Sequence, residues 1–223
     1  MSNRKIEIST NLQDVKDRIH RAADLADRDP AEIQLIVVTK TFPITDIEIL
    51  SGLGERNFGE NRDQEAVPKA LEISATWHFQ GQIQSNKIKS ISQWADVIHS
   101  ISTVKEILKF SQSPRSHQVF LQVSLDGELE RGGANPSELA DLAEVVNQSN
   151  NLELMGLMAV GPLGVEPGMA FAKLAQIHQG FVKDFPSAKY LSAGMSGDFE
   201  AAILHGATHI RVGSSILGSR SPH

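Results

Sequence analysis

The stretch AKYLSAGMSGDFEAAILHGATHIRVGSSILG, residues 188–218, decides the fold. AKYLSAG (188–194) and THIRVGS (208–214) are short runs that read as strands, and 197–206 between them has the spacing of a helix. Both strand-to-helix turns are built from small residues. Ser196 is a natural N-cap for the helix that follows it, and a helix start offers unpaired backbone N–H groups and a positive dipole. After the second strand, Gly213 allows close backbone approach while Ser214 and Ser215 supply hydroxyls.

Outward from this unit the same alternation covers the chain. QLIVVT (34–39), RNFGE (56–60), TWHFQG (76–81), ADVIHSI (95–101), QVFLQVSL (118–125) and LELMGLMAV (152–160) are the other strand candidates. Helical stretches fall near 44–53, 62–73, 85–94, 103–112, 136–149 and 167–184. An extra helix, Asn11 to Asp27, opens the pattern, with Leu12, Val15, Ile19, Ala22, Ala23 and Ala26 on one face. Asn135 is a plausible cap before Pro136 and Glu138. Eight strand–helix units are the tally of an α/β (β/α)8 TIM-type barrel, and so many units in 223 residues favour closure over an open sheet. The loops must then be short, and residues 1–223 read as a single barrel domain with no room for a second.

Composition narrows the function. The chain is 40% hydrophobic and only 5% aromatic, so its core must be aliphatic. A net charge of −6 argues against general nucleic-acid binding, which needs a basic footprint. There is no cysteine, so disulfides, thiolate catalysis and cysteine metal sites are excluded. The opening MSNRKIEIST lacks an apolar signal core and no stretch approaches a membrane span, so the expected location is cytoplasmic.

Functional groups of such a barrel sit on the loops that follow the strands. Lys40 follows strand one, Glu60 and Asn61 strand two, and Gln80, Gln82, Gln84 and Asn86 strand three. Ser100 and Ser102 follow strand four, Arg131-Gly-Gly strand five, Ser192 and Ser196 strand seven, and Arg211, Gly213, Ser214 and Ser215 strand eight. The loops after strands seven and eight are the usual phosphate position in these barrels. Either segment alone reads equally well as a capped tight turn; together they favour a phosphate. Lys40, at the end of an apolar run, reads first as a solvated lysine. Facing the barrel mouth it would instead have an amine freed for carbonyl chemistry. A phosphate and such a lysine on one face suit either pyridoxal 5′-phosphate (PLP) or a sugar phosphate in an aldolase.

Other motifs have plainer readings. GMSGD resembles a nucleophile elbow, but Asp198 replaces the last glycine and the elbow belongs to another fold. The histidines show no ligand spacing, so no metal site is expected. His78 and His99 read as hydrogen-bonded core or rim, and His205 and His209 as helix-end residues. Met155, Met158, Met169 and Met195 read mainly as packing, with Met158 and Met195 able to line a flat ring.

VTKTFP around Lys40, NFGENRDQE, WHFQGQIQSNK, GLMAV, LSAGMSGDFEAAI and IRVGSSILG occur in this order from Ile36 to Gly218. Together they resemble the YggS/PROSC family of pyridoxal-phosphate homeostasis proteins. The resemblance implies a fold like the N-terminal barrel of alanine racemases and PLP as cofactor. It matches Lys40 to the lysine that forms the internal aldimine, and Ser196, Gly213 and Ser214 to the phosphate contacts. Arg211 matches the arginine beneath the cofactor, facing its pyridine nitrogen or its phosphate, while Asn61 and Met195 match pocket-lining positions. Gln80 and Ile83 stand where the family usually has an aliphatic residue and Leu, and Arg131 where lysine is common. These departures touch loop contacts, not the lysine or the phosphate residues.

An arginine opposite the pyridine nitrogen would weaken the ring as an electron sink. Racemisation also needs a second base, and the only tyrosine, Tyr190, falls inside a strand candidate. The expectation is a monomeric PLP carrier with little or no turnover and apo PLP-dependent enzymes as its recipients. A weak PLP-dependent racemase or decarboxylase is the alternative.

Overall fold

The apolar, β-branched run QLIVV forms β1, Gln34–Val38, and its last four residues are buried, as befits a parallel strand covered on both faces. The structure, a computed structural model, describes residues 3–127 and 132–218; Arg131 lies outside the described residues. The other strands are β2 Asn57–Glu60, β3 Thr76–Phe79, β4 Val97–Ile101, β5 His117–Gln122, β6 Leu152–Met158, β7 Tyr190–Met195 and β8 His209–Val212. All run parallel in sequence order and close into a barrel, with β8 pairing back on β1 from Gln34↔His209 to Val37↔Val212. Every strand expectation is met to within a few residues.

Helices α1 Asn3–Leu25, α2 Ile44–Gly52, α3 Asp63–Glu72, α4 Ile88–Trp94, α5 Val104–Phe110, α6 Leu139–Asn147, α7 Pro167–Asp184 and α8 Phe199–Leu204 surround the barrel, and the short α9 Ser214–Leu217 follows β8. The aliphatic core lies between strands and helices, where Leu35 and Val37 of β1 join Ile47, Leu50 and Phe58. The barrel interior is different. It holds a small apolar cluster of Val97, Phe120 and Met158 beside buried His78, His99, Ser192 and Arg211.

Three local readings need correction. The first helix begins at Asn3 rather than Asn11. Tertiary contacts extend it: Ile8 is buried, and Arg4 donates to Asp46 on α2 at 2.6 Å and to the Leu217 carbonyl at 2.9 Å. Asn11 adds a bond to the Ile216 carbonyl, so α1 caps the far end of α9. Secondly, Ser196 does not cap α8; that position belongs to Asp198, whose carboxylate accepts from Met195 N–H at 2.6 Å. Thirdly, His209 opens β8 and bonds Thr208, rather than facing a helix end. At Asn135 the reading holds, since Glu138 accepts from its N–H at 2.8 Å at the start of a short 3-10 turn.

The β7–β8 ladder slips between Ser192↔His209 and Met195↔Arg211. The extra residue re-aims the end of β7, as bulges beside functional sites do. Gly194 makes the slip possible: its φ is +91°, and a Cβ there would lie 2.7 Å from that of Ala202. No helix among the described residues is long and apolar enough to cross a membrane.

Candidate functional site

A cavity of about 300 Å³ opens at the C-terminal ends of the strands. Lys40 reaches it from the turn after β1, Asn61 from the end of β2 and Gln80 from the end of β3. Met195 and Ser196 enter from the β7 end, and Arg211, Gly213 and Ser214 from β8 and its turn. The seven residues that the family resemblance matches to the cofactor site, Lys40, Asn61, Met195, Ser196, Arg211, Gly213 and Ser214, therefore share one cavity, with Gln80 beside them. Phe42, Met158, Val160 and Gly197 complete most of the remaining wall. Met158 and Met195 serve as walls as expected; Met169 is instead 70% exposed on α7 and packs little.

The end near β7 and β8 is a backbone device. Ser196 Oγ accepts from the N–H of Gly213 at 3.1 Å and of Ser215 at 3.3 Å, while Ser215 Oγ donates to the Ser196 carbonyl at 3.3 Å. One serine thus knits the loop after β7 to the first turn of α9. Its partners are backbone groups, which removes any likeness to a hydrolase nucleophile.

Arg211 forms the floor. It is 5% exposed and donates from Nη1 to Ser192 Oγ at 2.7 Å and from Nη2 to the Ala159 carbonyl at 2.9 Å. Burial lowers its pKa to about 10, against the pull of Asp198, so it is a cation at neutral pH. Behind it runs a hydrogen-bonded chain. Ser192 Oγ meets His99 Nδ1 at 2.9 Å, His99 Nε2 meets His78 Nδ1 at 2.9 Å, and His78 Nε2 meets Asn57 Oδ1 at 3.1 Å. Burial, followed by the His209 charge, pushes His78 down to about 3. Burial likewise holds His99 well below its ordinary value, so both rings are neutral. With the guanidinium donating at one end and Asn57 Oδ1 accepting at the other, two neutral rings satisfy the chain in one way. Every proton points from Arg211 toward Asn57.

On the β2–β3 side, Asn61 Oδ1 and Gln80 Oε1 are buried without a hydrogen-bond partner among the described residues. Unpaired buried acceptors are costly and mark a place for a donor. Glu60 turns away from the cavity toward α3, where Lys69 meets it at 2.7 Å. Burial pushes Glu60 above the usual carboxylate range despite Lys69 and Thr39.

The remaining candidates fall elsewhere. Gln82, Gln84 and Lys87 line a neighbouring hollow that shares Asn61, and Asn86 lies in a groove between α4 and α5. Ser100 donates to the Gly81 carbonyl, and Ser102 bonds Glu106 at the start of α5. The described residues contain no cluster of three or more metal-ligating side chains. No local sequence signal marks the Asn57–Arg211 chain as a unit or the buried Lys69, because their partners lie on separate elements.

The family model for the alanine racemase N-terminal domain matches residues 10–221, which contain all of these cavity residues. A Mycobacterium leprae pyridoxal phosphate homeostasis protein is 40% identical over 99% of this chain and 96% of its own length. The chain belongs to the pyridoxal phosphate homeostasis protein family. Among solved structures, an unknown protein from Bifidobacterium adolescentis has a TM-score of 0.88 at 28% identity, covering 97% of each chain. PipY of Synechococcus elongatus PCC7942, solved with PLP bound, has a TM-score of 0.78 at 33% identity, covering 90% of this chain and 100% of its own.

Proposed function

We propose that this chain binds PLP covalently through Lys40 and serves intracellular PLP homeostasis by holding and releasing it, with little or no turnover. The observation that carries this reading is convergence: a lysine, a serine-knit phosphate-type loop and a buried arginine share one cavity in a chain whose relative PipY was solved with PLP. The residues fit the group. Ser196, Gly213 and Ser214 would hold its phosphate, and Asn61 and Gln80 carry acceptors that lack a donor. Met158 and Met195 offer soft walls for a flat ring. Bound PLP supplies an aldehyde that can be captured by a lysine amine and a ring that can accept electrons.

Arg211 limits the second of these. A guanidinium has only donors, so against the pyridine nitrogen it would oppose protonation and weaken the electron sink. A racemase would also need a second base. None of the described residues lining the cavity is Tyr, His, Asp or Glu. Tyr190 is on β7 with its ring against His209. These features favour a carrier over a racemase. We infer that it works as a monomer in the cytoplasm, with apo PLP-dependent enzymes as recipients.

Titrating the purified protein with PLP should produce a visible absorption band; a protein that stays colourless would end this reading. In deuterated water, the loaded protein should leave single amino acids unexchanged at the α-carbon. Rapid exchange with loss of chirality would mean a racemase instead.

A further inference from the structure

The turn that presents Lys40 is strained and gripped from one side. Phe42 N–H donates to the Thr39 carbonyl at 3.1 Å, so Lys40 and Thr41 are the central residues of a four-residue turn. Thr41 has a φ of +69°. A β-branched residue avoids this region, and glycine is the usual occupant of such a turn position. Backbone strain of this kind persists only where the surroundings impose it.

Helix α3 imposes it here, on both sides of Lys40. The Thr41 N–H donates to Glu65 Oε2 at 2.8 Å, and the Thr39 carbonyl accepts from Lys69 Nζ at 2.9 Å. Glu65 and Lys69 are four residues apart, so they share one face of the helix. Lys69 is itself pinned: it is 5% exposed and meets Glu60 Oε1, which also accepts from Thr39 Oγ1, both at 2.7 Å. Neither Glu65 nor Lys69 lines the cavity. A buried ion pair is weak support for stability; here the Glu60 contact holds Lys69 Nζ beside the Thr39 carbonyl.

We propose that Glu65 and Lys69 clamp the turn carrying Lys40 and are positioning residues for cofactor attachment. This rests on the reading of Lys40 as the PLP tether. Burial pushes Glu65 upward, but the Thr41 N–H, Arg62 and Lys69 outweigh it and hold the carboxylate below its usual range. Glu65 is therefore a carboxylate at neutral pH, able to accept from the Thr41 N–H.

The test follows the rate at which added PLP develops its bound absorption band, with borohydride fixation and peptide mapping of the product. Wild type, Glu65→Ala and Glu65→Gln are compared, and thermal midpoints are recorded alongside. Losing one charge-assisted hydrogen bond should slow attachment in Glu65→Ala by about tenfold, with label appearing on other lysines. Glu65→Gln keeps an oxygen that can accept from Thr41 N–H and should stay within about twofold of wild type. A merely structural role would track the thermal midpoint and show no such rescue. If Glu65→Ala does not fold, Glu65→Asp is too short to reach Thr41 and should show the same slowing. Wild-type rate and unique Lys40 labelling in the variant that fails to reach Thr41 would overturn the clamp. Absence of label on Lys40 in wild type would instead overturn the reading beneath it.

Discussion

Arg211 Nη1 donates to Ser192 Oγ at 2.7 Å, so a buried guanidinium on the floor of the cavity is held by a hydroxyl rather than by a carboxylate. The positive charge is thereby left for a ligand, and the chain of neutral rings behind it keeps Ser192 oriented. Replacing Ser192 by Ala removes an acceptor from Arg211 and the donor to His99 Nδ1. The expected cost is about 1–3 kcal/mol of stability, with weaker PLP binding. Denaturant midpoints and a PLP titration check this; a variant equal to wild type in both would show that the chain does not govern Arg211.

Acid should unfold the protein by way of its interior. Burial, reinforced by neighbouring charge, lowers His78 to about 3 and His209 to about 4, whereas in the unfolded chain both titrate near 6.5. Between these values the unfolded state binds more protons than the folded one, so stability rises with pH across that window. As pH falls below about 6.5, each ring should cost up to about 1.4 kcal/mol per pH unit. Urea midpoints measured from pH 7.5 to 5 should therefore fall; a flat profile would mean that the rings accept protons without unfolding.

Ser196→Ala deletes the acceptor shared by the Gly213 and Ser215 amides. The fold should survive, because only two part-buried bonds are lost. PLP affinity should drop about tenfold, the value of one such contact to a charged group. Equilibrium titration measures it, and unchanged affinity would remove Ser196 from the phosphate site.

Gly81→Ala tests the β2–β3 wall. A Cβ at Gly81 would lie 2.1 Å from the Asn61 carbonyl oxygen and 2.9 Å from its Cα, so the end of β2 must shift. Overpacking of this kind costs roughly 1–3 kcal/mol. It should also pull Asn61 out of the cavity and weaken PLP binding. A fully stable variant with normal binding would show that Asn61 is not needed where it stands.

Much of this was legible in the sequence because the relevant signals are local. The continuous apolar run at 35–38 and the strand–helix–strand unit at 188–218 each state their own structure. Once eight such units close, strand ends bring Lys40, Asn61, Ser196 and Arg211 to one mouth without further information. What escaped depends on long-range packing. Ser196 looks like a cap for the helix that follows it, yet its hydroxyl serves amides seventeen and nineteen residues on. The start of α1 is set by Asp46 and Leu217, which no window around Arg4 contains. Lys69 carries no local signal of its role, because only the closed barrel sets Glu60 and the Thr39 carbonyl beside it.

The central claim is that Lys40 is the PLP tether. Its most direct test is to load the protein with PLP, reduce with borohydride and map the modified peptide by mass, in wild type and Lys40→Ala. Label confined to the Lys40 peptide in wild type, and absent from that peptide in the variant, is the expected result. Label that sits on another lysine of the wild type, such as Lys87 or Lys173, would contradict it.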